Sequence, residues 1–202
     1  VAESRFVITT SPGFEGEARL ELRKLVPGAE ATNLMLKGNV LLESPLPRSE
    51  TLALLRDGET RCVASITPVD VLVRVGKDLT SLEPLKTCLP WQQWLKGRKT
   101  FVIRCRRRGG HEWHSEDLKR LLGRHIEERS DGIAQLVGET EFEVGVDVYQ
   151  DRAWVGVYRP EERLTKKLVH KRKYRQGERP LNRAEMKLRE ALGRFEVAPD
   201  PT

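Results

Sequence analysis

The sequence has few of the residues that build redox and catalytic centres. Cysteine occurs three times in 202 residues, at Cys62, Cys88 and Cys105, with no Cys-x-x-Cys pair. The odd count and wide spacing point to reduced, buried thiols in a cytoplasmic protein. No apolar run nears the ~20 residues of a membrane span, and no secretory signal opens the chain. A membrane partner is therefore not expected. Gly-x-Ser-x-Gly, the P-loop and Gly-x-Gly-x-x-Gly are all missing. His111-Glu112-Trp113-His114 places two histidines three apart, but no cysteine or further acid stands at ligand spacing, so it reads as a solvated loop that touches phosphate, not a metal site. The chain by itself shows no enzyme, no metal and no small-molecule substrate.

Positive charge is what the sequence does have. The net charge is +6, the pI about 9.4, and a third of all residues are ionic (33%). Ten Lys or Arg face three acids between Arg159 and Arg183, so this stretch holds the whole excess and the rest is close to neutral. Such concentration favours a polyanionic partner.

Taken in order, residues 5–10 alternate as a strand. A helix follows to about Val26, with Ala18, Leu22 and Leu25 on one face. Two short apolar runs flank the turn Lys37-Gly38-Asn39. A helix near Arg48–Arg56 and a strand or strand pair from Arg61 to Val75 complete a β-α-β-β-α-β order, that of a ferredoxin-like domain over 1–75. Ser81 to Gly97 is a helical connector that Pro90 should kink or split; Trp91 and Trp94, set among leucines, are assigned to packing ahead of base stacking. In Lys99–Gly110, Phe101, Ile103 and Cys105 share one strand face while Arg104, Arg106 and Arg108 share the other, open to solvent. Ser115 is the expected cap of a helix that buries Leu118, Leu121, Leu122 and Ile126. Phe142, Val144, Val146 and Val148 alternate with Glu143, Asp147 and Tyr149, and a turn at 150–152 leads into Ala153–Tyr158. Residues 161–181 read as a basic linker, and Arg183–Phe195 as a last helix.

Guanidinium forks bind phosphate bidentately, and Gly109-Gly110 beside Arg106, Arg107 and Arg108 allows close backbone approach. Arg104, Arg106, Arg107 and Arg108, with Lys166, Lys167, Lys171, Arg172, Lys173 and Arg175, are the candidate RNA-binding residues. The plainer alternative for the strand is a solvated edge guarded by charge.

Residues 99–160 resemble a THUMP domain, the RNA-binding module of thiouridine synthases and several RNA methyltransferases. FVIRCRRRGGHEWHSEDL, the helix ending HIEERS, and FEVGVDVYQDRAWVGVY carry the likeness. The resemblance implies an α+β chain: a ferredoxin-like domain (1–75), a THUMP α/β domain (76–160) and a basic linker with a C-terminal helix (161–202). It also implies recognition of RNA by shape and backbone. RPLNRAEMKLREALGRF is similar to the motif that opens the catalytic domain of FtsJ-type 2′-O-ribose methyltransferases, with Asn182 in place of the usual Ser. Lys187 stands where that family has a catalytic lysine, a role it would hold only in a full-length enzyme. The S-adenosylmethionine loop and the other tetrad residues are not in the chain. The expectation is thus the RNA-binding N-terminal portion of an S-adenosylmethionine-dependent ribose methyltransferase of the large-subunit rRNA methyltransferase M group. The cofactor would belong to a further domain, and rRNA ranks ahead of tRNA as partner. The alternatives are a THUMP module of a base methyltransferase, thiouridine synthase or deaminase, and a stand-alone RNA-binding adaptor.

Overall fold

Two runs of alternating residues, each with helices on one side, set the architecture. The computed structural model describes residues 2–34, 38–135 and 139–165. The chain contains β1 (Ser4–Thr10), α1 (Glu15–Leu25), β2 (Glu30–Asn33), β3 (Asn39–Ser44), α2 (Arg48–Asp57), β4 (Val63–Val69) and β5 (Val71–Arg74). A 3₁₀ turn then precedes α3 (Glu83–Thr87), α4 (Trp91–Leu95), β6 (Thr100–Arg108), α5 (Ser115–Ser130), β7 (Ile133–Ala134), β8 (Phe142–Tyr149), β9 (Arg152–Tyr158) and β10 (Leu164–Thr165). The α+β class and the opening β-α-β-β-α-β order match the sequence expectation. Among the described residues no helix is long and apolar enough to cross a membrane.

The first sheet has the order β10-β4-β1-β3-β2 and is antiparallel throughout. Phe6, Ile8, Val40, Leu42 and Ile66 meet Ala18 and Leu22 of α1 and Leu52 and Leu55 of α2 to form its core. The second sheet runs β5-β9-β8-β6-β7, with β6 parallel to β8 and to β7. Phe101, Ile103, Val144, Val146 and Val148 pack there against Leu118, Leu122 and Ile126 of α5 and the connector's Leu85, Trp91 and Leu95. Pro90 splits the connector, standing at the N-cap of α4. Trp91 is a core residue, its indole N–H donating to the carbonyl of Lys86 at 2.6 Å.

The two sheets part at Asp70, between β4 and β5, so the alternating run from Arg61 to Val75 serves both of them. Asp70 accepts the Val157 N–H at 2.7 Å and pairs with Arg48, and its own N–H reaches the Val155 carbonyl. The described residues up to Thr165 form one compact unit. Residues 161–165, read from sequence as linker, instead form a 3₁₀ turn and β10, which pairs with Ile66 and Ser65 of β4.

The faces that carry no helices turn toward each other. Val7 and Val69 of the first sheet meet Tyr149 and Trp154 of the second, and the Tyr149 hydroxyl donates to Asn39 Oδ1 at 2.7 Å. Glu143, Asp147 and Tyr149, the polar half of an alternating strand, are therefore buried at 2%, 3% and 5% exposure. Gly156 permits this approach: a Cβ there would lie 2.3 Å from the Pro68 carbonyl oxygen.

Candidate nucleic-acid interface

β6 presents Arg104, Arg106 and Arg108 on the face turned toward the first sheet, so the expectation of fully solvated guanidinium groups needs correction. Arg104 and Arg106 keep 44% and 43% of their side chains exposed, but each is held by a carboxylate from β8. The parallel register sets Arg106 beside Asp147. Its Nε and Nη2 donate to the two carboxylate oxygens at 2.5 and 2.8 Å. Glu143 takes Arg104 at 2.6 Å and Arg163 at 3.0 Å. A carboxylate this deeply buried requires such partners, because an unpaired buried charge costs several kcal/mol, about 3–5 when one partner is removed.

Between the sheets lies a cleft of about 330 Å³, lined by Ser65, Thr67, Arg104, Arg106, Lys119 and Arg163 with Asp147 and Tyr158. Four cations at one opening favour an anionic ligand, although Glu143, Asp147 and the Glu116 that holds Lys119 at 2.7 Å offset most of their charge. Burial works against the Arg106 charge, but neighbouring Asp147 outweighs it and raises the guanidinium pKa. Burial, then the charges of Glu143 and Asp147, raise the Tyr158 phenol above its usual range. Burial also pushes the Cys105 thiol up to about 11. Cys105 is thus a poor nucleophile at neutral pH.

One edge of the cleft is a strand edge. The Lys99 and Phe101 carbonyls accept from Ile133 and Gln135, and among the described residues no strand pairs with β6 on that side beyond Phe101. By the alternation of the ladder, the backbone groups of Ile103, Cys105 and Arg107 point out of the sheet there. Unpaired N–H groups beside arginines suit phosphate oxygens.

The structure separates the candidate arginines. Arg104, Arg106 and Arg108 share a strand face, and the first two line the cleft. Arg107 lies on the opposite face, donating to the His111 carbonyl at 3.3 Å with its guanidinium 5.6 Å from the Trp113 ring centre. The loop from His111 to His114 is solvated at Glu112 and His114 but anchored between them. Trp113 is buried at 2% exposure, and His111 Nε2 lies 2.6 Å from the Gln150 carbonyl. His114, not Ser115, is the N-cap of α5, its N–H donating to Asp117 at 2.7 Å. Lys166, Lys167, Lys171, Arg172, Lys173, Arg175 and Lys187 lie outside the described residues. Sequence reasoning missed Glu143, Asp147, Lys119, Arg163, Ser65 and Thr67. The first two stand as acids inside a valine-rich strand, but their alternation alone does not distinguish burial from solvation.

Residues 76–158 match the THUMP domain model. The chain carries a THUMP domain. Over 161 residues it is 28% identical to the tRNA (guanine(6)-N2)-methyltransferase of Thermus thermophilus, covering 79% of this chain and 46% of that protein. Over 124 residues it is 30% identical to an uncharacterised protein of Methanocaldococcus jannaschii, covering 59% of this chain and 34% of that protein. The crystal structure of TrmN from Thermus thermophilus superposes with a TM-score of 0.60 at 25% identity, covering 81% of this chain and 46% of that one. The chain thus spans less than half the length of these relatives. The named methyltransferase acts on a guanine of tRNA, not on an rRNA ribose, so the FtsJ-type expectation drawn from residues 179–195 has no support among these relatives and its base-methyltransferase alternative fits better.

Proposed function

We propose that this chain is the RNA-gripping portion of an S-adenosylmethionine-dependent base methyltransferase whose substrate is tRNA. The observation that carries the reading is the likeness to the tRNA (guanine(6)-N2)-methyltransferase across 161 residues, too long a stretch for the THUMP domain alone. The cleft adds a physical reason. Its open strand edge, hydroxyls and guanidinium groups fit a phosphodiester backbone. No step involving S-adenosylmethionine is assigned to these residues. Arg104 at the cleft, Arg107 and Arg108 further along the same strand, and the basic residues Lys166, Lys167, Lys171, Arg172, Lys173 and Arg175 hold RNA phosphates in this reading.

Fluorescence anisotropy with an unmodified tRNA transcript, titrated with salt, tests it. Each lost phosphate contact flattens the plot of log affinity against log salt by about 0.7–0.9. Arg104→Ala/Arg108→Ala should flatten it by one to two such steps, and replacing the six linker cations by Gln by more. Glu143 keeps its ion pair with Arg163 at 3.0 Å when Arg104 is removed, and thermal unfolding of the double variant, measured beside the titration, shows whether the fold is intact. Slopes unchanged in both variants, or no binding at low salt, would overturn the reading.

A further inference from the structure

We infer that Arg106 is a positioning residue, a latch that fixes the two sheets around the cleft, and not one of the groups that bind phosphate. The inference rests on the RNA-binding reading for its functional consequence, though its structural half stands alone. A guanidinium has five N–H donors and no acceptor. In Arg106 all five are engaged. Nε and one hydrogen of Nη2 go to Asp147 at 2.5 and 2.8 Å. The other hydrogen of Nη2 goes to the Thr67 hydroxyl at 3.2 Å. Nη1 reaches the Thr9 and Ser65 hydroxyls at 2.6 and 3.4 Å.

Asp147 belongs to the second sheet, whereas Thr9, Ser65 and Thr67 belong to β1 and β4 of the first. One planar side chain therefore ties β6 and β8 to two strands of the other sheet. Arg104 differs, since no bond carries it across to the first sheet among those described; its partner is Glu143 of its own sheet. Val7, Val69, Tyr149 and Trp154 join the sheets two positions further along the strands, and Arg106 joins them where the cleft opens, beside the ion pair of Arg163 with Glu143. Lysine would keep the charge but, with three donors on a single nitrogen, has no fork to span both sheets.

The test separates charge from geometry. Thr9→Val/Thr67→Val removes the acceptors on the first sheet and leaves the Arg106–Asp147 pair intact; Arg106→Lys keeps the charge and removes the fork. Both should weaken tRNA-transcript binding by roughly tenfold, the scale of one or two lost hydrogen bonds, with the salt slope unchanged. Residual dipolar couplings without RNA should show a changed or looser orientation between the sheets. A phosphate-binding Arg106 predicts the reverse: wild-type affinity or better in the threonine double variant, substantial rescue by lysine, and unchanged couplings. That result would overturn the inference. If the wild-type chain binds no RNA at low salt, the RNA reading fails, and the couplings alone decide the latch.

Discussion

Buried polar side chains distinguish this chain more than its exposed charges do. Glu143 and Asp147 sit in a strand of valines, each tied to arginine, with the Tyr158 phenol raised by burial near both. Burial likewise raises the Tyr149 phenol, with Asp147 adding to it. Above the ordinary tyrosine pKa near 10, an unfolded chain has already released protons that the folded chain retains, so the unfolded state binds fewer and stability falls as pH rises. The tyrosine contribution is whole below about pH 10 and declines above it. Thermal unfolding followed from pH 8 to 11.5 should show Tm dropping beyond that point, and Tyr158→Phe should blunt the drop. A Tm that falls equally in wild type and variant would mean that Tyr158 is not responsible.

Helices and strands were legible where one periodicity and one environment ruled. The stripe through Leu118, Leu122 and Ile126 located α5, and the valines of β8 located its apolar face. The opposite face of β8 was not legible. An acid satisfied by a neighbouring guanidinium and an acid satisfied by water give the same alternation, so burial of Glu143 and Asp147 emerges only when the second sheet arrives. The crossing at Asp70 was hidden for a similar reason, because Val69, Val71 and Val73 alternate without a break across two sheets. Arg107 belonged by parity to the face of Phe101 and Ile103, which explains why it leaves the other arginines for Trp113. At this scale Gly156 is decisive. A methyl group there meets the backbone of Pro68 and Val69, at 2.3 and 3.2 Å, and no side chain can move aside. Gly156→Ala should cost about 1–3 kcal/mol or more, read as a lower urea midpoint. Gly145→Ala meets the buried Tyr158 ring, a side chain and not backbone, and should cost less.

At the scale of the molecule, the two sheets belong to one compact unit that ends at Thr165. The THUMP match begins at residue 76, yet β5, which pairs with β9, lies before it at Val71–Arg74. A chain of residues 76–158 alone would lose that strand and uncover Tyr149 and Trp154, leaving Asp147 and Arg106 without the threonines of the first sheet. It should bind a hydrophobic dye and lack a sharp near-ultraviolet circular dichroism signal. Cooperative unfolding of that fragment at wild-type temperature would show that the first sheet is dispensable.

β10 gives the order of elements a consequence during synthesis. Leu164 pairs with Ile66, so the outer edge of β4 gains its last strand only after nearly a hundred further residues have been made. The first half of the chain cannot finish before the second. Until then β4 leaves the ribosome with its backbone donors and acceptors uncovered, the condition under which a nascent strand is most prone to pair with the wrong neighbour. Pro68, which has no backbone N–H, shortens the row of donors that this edge offers while it waits.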